Sequence, residues 1–232
     1  MSTRRFEDYY DAKWVPLNEY FTIHRRRFVD SYEFLDPFVG EKWAVADLVQ
    51  PGDGPGPLAE FFALEKQAVL ILITSDLREK LEVETSSCDL VLCTETIEHI
   101  KDKDSTRISE LDRFNYSGID NMLSESARIL KADGHLFITT PNSSSFVTLH
   151  KWLMGELPYV DPHHVREFTV DLLNDVCARN GFVPIAIEVR NSWSHVSDDL
   201  LEQFEKLVES FPVKRNVSRA ENIYALYGKR SR

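Results

Sequence analysis

The sequence predicts an α/β chain built on a doubly wound, mostly parallel sheet, and three observations predict it. Short apolar runs of strand length alternate along the chain with segments whose apolar residues recur at helical spacing. One run, residues 68–73, is apolar throughout, the pattern of a strand buried on both faces of a parallel sheet. Between the first run and the helix that follows it lies Gln50-Pro-Gly-Asp-Gly-Pro-Gly-Pro57, which gathers three of the chain's nine glycines at alternate positions. No repeat and no linker of domain-separating composition interrupts the pattern. One sheet-based domain is therefore expected over residues 41–232, with residues 1–40 as an N-terminal helical cap or lid.

Taken in order, residues 6–38 are rich in aromatics (Phe6, Tyr9, Tyr10, Trp14, Tyr20, Phe21, Phe28, Tyr32, Phe34) and read as helical, broken at Pro16 and ended by Pro37. Trp43-Ala-Val-Ala-Asp-Leu-Val49 has strand length. Pro57 suits the first position of a helix over 58–66, because its missing N–H costs nothing there. Residues 68–74 form the next strand, with Asp76 at its end, and residues 89–93 another, followed by Thr94-Glu-Thr-Ile-Glu-His99. Only 12 residues separate Asp76 from Asp89, against the roughly 20 that a further helix and strand require, so one βα unit is abbreviated or absent.

Residues 101–115 are polar and irregular, as in a surface insertion. Ile119, Met122, Leu123, Ser126, Ile129 and Leu130 then form one helical stripe. Lys131-Ala-Asp-Gly134 turns the chain into a strand over 135–140, and a long loop is expected over 143–167. Thr169 is a good N-cap for a helix over 170–180, with Gly181 just past its end. A strand over 182–189, an acidic amphipathic helix over 198–210 and a short strand over 223–227 complete the chain.

Composition limits the function. The chain has 232 residues, is 43% hydrophobic and 28% charged, and so carries enough apolar mass for a core, which excludes disordered and fibrous classes. No apolar run approaches the roughly 20 residues of a membrane span, and Met-Ser-Thr-Arg-Arg-Phe-Glu-Asp puts acid where a secretory signal needs an apolar stretch, so a soluble cytoplasmic protein is expected. A formal charge of −11 repels phosphate backbones and makes nucleic acid a poor default partner, although Arg25-Arg26-Arg27 offers a local patch for one phosphate group. Cys88, Cys93 and Cys177 show no paired spacing and read as small buried hydrophobes.

The segment from Asp89 to Asp102, Asp-Leu-Val-Leu-Cys-Thr-Glu-Thr-Ile-Glu-His-Ile-Lys-Asp, resembles the fourth-strand motif of class I S-adenosylmethionine-dependent methyltransferases. Ser126-Ala-Arg-Ile-Leu-Lys-Ala-Asp-Gly-His-Leu-Phe-Ile-Thr-Thr-Pro-Asn142 resembles their next helix, turn and strand. His164-Val-Arg-Glu-Phe-Thr-Val-Asp-Leu-Leu173 with Gly181-Phe182 is similar to the following block of the branch holding ubiquinone-biosynthesis and sugar or small-molecule O-methyltransferases. The resemblance covers residues 43–190 and implies a Rossmann-like fold with an antiparallel last strand, S-adenosylmethionine as cofactor and S-adenosylhomocysteine as product. It implies in-line transfer of the sulfonium methyl to a hydroxyl of a small molecule or sugar, with the protein mainly holding the two reactants together.

The same resemblance places the cofactor on named residues. Gly52, Asp53, Gly54 and Gly56 would cradle its methionine end, Asp76 and Leu77 its ribose or adenine, and Thr94 and Glu95 its inner wall. The glycine loop departs from the family pattern: Gln50 stands where an acid is usual, with Asp47 three residues before it, and Pro51, Pro55 and Pro57 remove N–H donors. Asp76 is also a candidate helix N-cap. His163 or His164 is the candidate general base or substrate ligand, since an imidazole accepts a hydroxyl proton near neutral pH. Glu95, Glu98, His99 and His164 match relatives, small-RNA 2′-O-methyltransferases among them, that hold a divalent metal with two Glu and two His, although a metal is not the expectation. His24, His135, His150 and His195 read as surface or core histidines. Two rival readings stay open: a catalytically degenerate methyltransferase-like binding subunit, on the altered loop and the short βα unit, and a metal-dependent RNA 2′-O-methyltransferase, on the Glu and His set.

Overall fold

The computed structural model describes residues 2–49, 54–102, 117–193, 197–210 and 217–230. The expected insertion over 101–115 falls almost wholly outside these, as do Gly52 and Asp53 of the glycine loop. Six strands form one sheet: β1 (Ala44–Leu48), β2 (Val69–Ile73), β3 (Cys88–Thr94), β4 (Leu130–Pro141), β5 (Phe182–Arg190) and β6 (Asn222–Lys229), in the order β2-β1-β3-β4-β6-β5. The first four are parallel, and β6 runs antiparallel between β4 and β5. Doubly wound topology with an antiparallel last strand is therefore what the chain adopts.

Helices cover both faces. On one face α5 (Ser117–Ile129) and α7 (Val170–Arg179) pack Ile119, Met122, Leu123, Leu173 and Val176 on Val91, Cys93, Leu136, Ile138 and Ala225. On the other, α1 (Ser2–Lys13), α3 (Arg25–Leu35) and α4 (Pro57–Lys66) pack an aromatic layer on Val45, Leu90, Leu92, Phe137 and Leu226. Phe6 stacks on Tyr32 at 4.6 Å and meets Phe61 edge-on at 5.2 Å, while Phe34 stacks on Phe137 at 5.7 Å. The buried aromatics of the N-terminus are thus one layer of the main core, consistent with the large area such rings remove from water. The short α2 (Glu19–Ile23) lies between α1 and α3 after the break at Pro16. Cys88, Cys93 and Cys177 are free and buried.

Three expectations need correction. The run 68–74 is not buried on both faces: β2 is the sheet's edge, with Val69 60% and Leu72 41% exposed. The cause is the missing βα unit, because among the described residues no helix or strand lies between β2 and β3 to cover that edge. The span 143–167 is not one long loop but holds α6 (Phe146–Met154). Ser145 caps α6 by accepting the Thr148 N–H, and Gly155 ends it at φ +72, which a side chain disfavours. The expected Lys131–Gly134 turn is absorbed into β4 as a register shift opposite Cys88 and Leu90. Elsewhere Thr169 caps α7 through the Leu172 N–H, and Gly181 follows it at φ +84, as expected. Among the described residues no helix is long and apolar enough to cross a membrane.

Candidate active site

Parallel strands β1, β2 and β3 end together, and the segments leaving their carboxyl ends form two adjoining cavities, the usual ligand position in such sheets. The smaller, about 420 Å³, is lined by Val49, Ser75, Asp76, Leu77, Thr96 and His99, among others. The larger, about 820 Å³, is lined by Tyr20, His24, Arg27, Glu95, Glu98, His164 and further residues including Thr96 and His99. Thr96 and His99 belong to both walls, so the two spaces meet there.

Asp76 and Leu77 line the smaller cavity. No helix starts at Asp76, so the N-cap alternative does not apply; its carboxylate instead accepts the Arg78 backbone N–H at 2.9 Å and forks onto the Arg78 guanidinium. Gly54, Gly56 and Thr94 line neither cavity. The loop nonetheless has its acid. Buried Asp47, near the end of β1, accepts the Gly56 N–H at 2.8 Å and so ties Gly56 to the sheet. Burial lifts the Asp47 carboxyl to about 6, and the Gly56 hydrogen bond opposes the rise. A side chain at Gly54 would meet nothing within 4 Å, whereas one at Gly56 would lie 3.4 Å from the Asp47 carboxylate.

The larger cavity draws on parts of the chain that are far apart in sequence. Glu95 leaves β3 with φ +50, a left-handed backbone that is strained for this residue and turns its carboxylate inward. Glu95 Oε2 pairs with Arg27 Nη1 at 3.0 Å, and its Oε1 accepts from Asn222 Nδ2 at 3.0 Å. Arg27, almost fully buried on α3, also donates to Tyr20 Oη at 2.8 Å. With Arg25 bound to Glu7 and Asp11 and Arg26 to Asp30, the expected phosphate patch is consumed by ion pairs. His24 is not an incidental histidine: it lines this cavity and accepts the Trp193 indole N–H at 2.7 Å.

Glu98 and His99 sit on a short 3-10 turn, Ile97–His99. The Val165 and Arg166 N–H groups donate to the Glu98 carbonyl at 2.9 and 3.2 Å, which brings the segment holding His164 over this turn. Glu98 is fully buried; its Oε2 accepts from Thr140 Oγ1 at 2.9 Å, and its Oε1 has no hydrogen-bond partner among the described residues. Burial first, then the nearby Glu95 charge, pushes the Glu98 carboxyl well above the usual carboxylate range. Burial first, then the neighbouring His164, shifts the His99 imidazole below its ordinary range.

The histidine pair separates. The His163 side chain is 84% exposed and turns to Asp161 at 2.7 Å, whereas His164 is 7% exposed, with Nδ1 2.6 Å from Glu167 Oε1. His99 and His164 meet edge-to-face at 4.8 Å, and ligand atoms of Glu98, His99 and His164 lie within 4.8 Å of one another. That oxygen and nitrogen set suits a divalent cation such as zinc or manganese. Glu95 is not part of this group, because Arg27 and Asn222 hold its carboxylate. Sequence reasoning gave no individual role in the site to Arg27, His24, Tyr20, Trp193, Thr96 or Glu167, although Tyr20 lies in the expected lid and Glu167 in the loop over 143–167. Of these, the His164-x-x-Glu167 spacing alone carried a readable signal.

Comparison with known proteins agrees with this architecture. A family model described as "Methyltransferase domain" matches residues 18–187. A SAM-dependent methyltransferase from Archaeoglobus fulgidus is similar in structure, with a TM-score of 0.56 at 17% identity over 91% of this chain and 100% of that one. A possible histamine N-methyltransferase from Thermotoga maritima gives 0.56 at 16% identity over 97% and 100%. A sarcosine dimethylglycine methyltransferase assigned from Galdieria sulphuraria gives 0.52 at 13% over 99% of each. No curated protein sequence matches. With its sheet order, its paired cavities and a family match across most of its length, the chain belongs to the class I S-adenosylmethionine-dependent methyltransferases.

Proposed function

We propose that this chain transfers the methyl group of S-adenosylmethionine to a hydroxyl of a small molecule or sugar, in the cytoplasm. In this reading the smaller cavity takes the nucleoside of the cofactor, with Asp76 and Leu77 against its ribose or adenine. Gly54 and Gly56 approach its methionine end, and the larger cavity takes the acceptor. The observation that carries the reading is the shared wall at Thr96 and His99, with buried His164 on the acceptor side. An acceptor hydroxyl beside His164 Nε2 would lose its proton to the imidazole as its oxygen attacks the sulfonium methyl.

The test is methyl transfer from labelled cofactor to a panel of catechols, phenols and free sugars, against a panel of primary and secondary amines. Turnover with hydroxyl acceptors that falls by about 10²–10⁴ in His164→Gln supports the assignment. Turnover with amines alone contradicts it.

A second reading has one observation in its favour: the Glu98 carboxylate groups with the His99 and His164 imidazoles, and its Oε1 has no hydrogen-bond partner among the described residues. A divalent cation held by Glu98, His99 and His164 would supply Lewis-acid activation of the acceptor oxygen. Transfer abolished by EDTA and restored by one added divalent metal distinguishes it from the metal-free route.

A further inference from the structure

Glu167 has no part in the reaction as described so far, yet its surroundings are unusual for a carboxylate. It is almost fully buried, and one oxygen, Oε1, serves two partners: the Val160 backbone N–H at 2.6 Å and His164 Nδ1 at 2.6 Å. The other oxygen, Oε2, is buried with no hydrogen-bond partner among the described residues. An amide N–H can only donate, so Oε1 is an acceptor toward Val160, and a carboxylate oxygen that accepts a second time needs a proton on the imidazole nitrogen it faces. The Nδ1 of His164 is then the donor, and the ring is left with its only lone pair on Nε2.

We propose that Glu167 is a positioning residue that fixes His164 as the Nδ1–H tautomer and thereby presents Nε2 to the larger cavity. The inference rests on the methyl-transfer reading for its purpose, and on hydrogen-bond geometry alone for its content. The local chain explains the precision of the arrangement. Position i+3 places Glu167 under His164, while the Val160 N–H and the contacts of Val165 and Arg166 with the Glu98 carbonyl tie both sides of the segment down. A carboxylate behind an imidazole orients the ring and raises its basicity, whether the ring then takes a proton or binds a cation. His163 lacks any such support, because its partner Asp161 is itself half exposed.

The tautomer is directly measurable without acceptor or cofactor. Long-range proton–nitrogen correlation spectra of the full chain, labelled with ¹⁵N-histidine and recorded above the imidazole titration range, separate protonated from bare ring nitrogens. The His164 signals are assigned by their absence in His164→Gln. The expected result is a single Nδ1–H form in the wild-type chain, kept in Glu167→Gln, whose side-chain carbonyl can still accept. In Glu167→Leu the signals should move toward the Nε2–H form that free imidazoles favour. A wild-type His164 in the Nε2–H form overturns the proposal even where Glu167→Leu fails to fold, as does an unchanged Nδ1–H form in folded Glu167→Leu. Because no methyl transfer is involved, this outcome and the outcome of the acceptor panel are independent.

Discussion

The two cavities share a wall but are built in opposite ways. The smaller one is formed by short segments after β1, β2 and β3, at the open edge of the sheet, and its one carboxylate among the described residues, Asp76, is half exposed and paired with its neighbour Arg78. The larger one is formed by side chains from α2, α3, the turn after β3, the segment around His164 and Trp193 beyond β5. Its inner groups Arg27, Glu95, Glu98 and His164 are mostly buried and bonded to others, while His163 and Asp161 are exposed at its rim. A cofactor common to a whole family can be met by a few backbone positions and one carboxylate. An acceptor particular to one chain has to be met by a network assembled from distant parts of it, and burial makes that network costly to disturb.

The largest expected effect follows from this contrast. Arg27→Met leaves the Glu95 carboxylate buried without its countercharge and should cost about 3–5 kcal/mol in chemical denaturation. The double variant with Glu95→Gln should recover part of that loss. A cost below about 1 kcal/mol would mean that the pair is not a structural unit.

In the glycine loop, Gly54→Arg adds a side chain where a Cβ touches nothing among the described residues, so the chain should fold as before while affinity for S-adenosylhomocysteine falls about 100-fold, or ~2.7 kcal/mol. Unchanged affinity in the folded variant removes the glycine loop from the cofactor site. Asp47→Asn should weaken cofactor binding about 10-fold, by turning a charge-assisted hydrogen bond to Gly56 into a neutral one.

Asp47 also gives the site a pH dependence whose sign can be stated. Its carboxyl is raised from its ordinary 3.8 to about 6, so affinity for the cationic cofactor should fall as pH drops through about 6, and the Asp47→Asn variant should lose that dependence. Stability moves the other way. A raised folded value means that the folded state binds the proton more tightly, so this contribution is present in acid and is lost as pH rises toward and through about 6, up to about 3 kcal/mol. The smallest effect belongs to His163, exposed at the rim: His163→Gln should change transfer by less than about twofold, where His164→Gln nearly abolishes it.

Most of the fold was legible because apolar periodicity and caps are local signals: Pro57, Thr169 and Gly181 mark the element ends that the chain adopts. The edge position of β2 was not, since an all-apolar pentapeptide reads the same whether a neighbouring strand covers it or not. Asp47 was passed over because the family spacing pointed to position 50, and only the folded chain shows which acid reaches Gly56. Arg27 and Glu95 are 68 positions apart, and nothing in either segment names the other. Of Glu95, Glu98, His99 and His164, the last three come within reach of one another, and the Arg27 pair holds Glu95 apart from them.

The central claim is that the smaller cavity and the Asp47-held glycine loop still bind the family's cofactor despite three prolines and a missing βα unit. Calorimetric titration of the purified chain with S-adenosylhomocysteine, with and without EDTA, tests it most directly. The account predicts one site of micromolar affinity that EDTA leaves unchanged. No detectable heat at near-millimolar ligand would contradict it and would mark the chain as a binding subunit that has kept the fold and lost the cofactor.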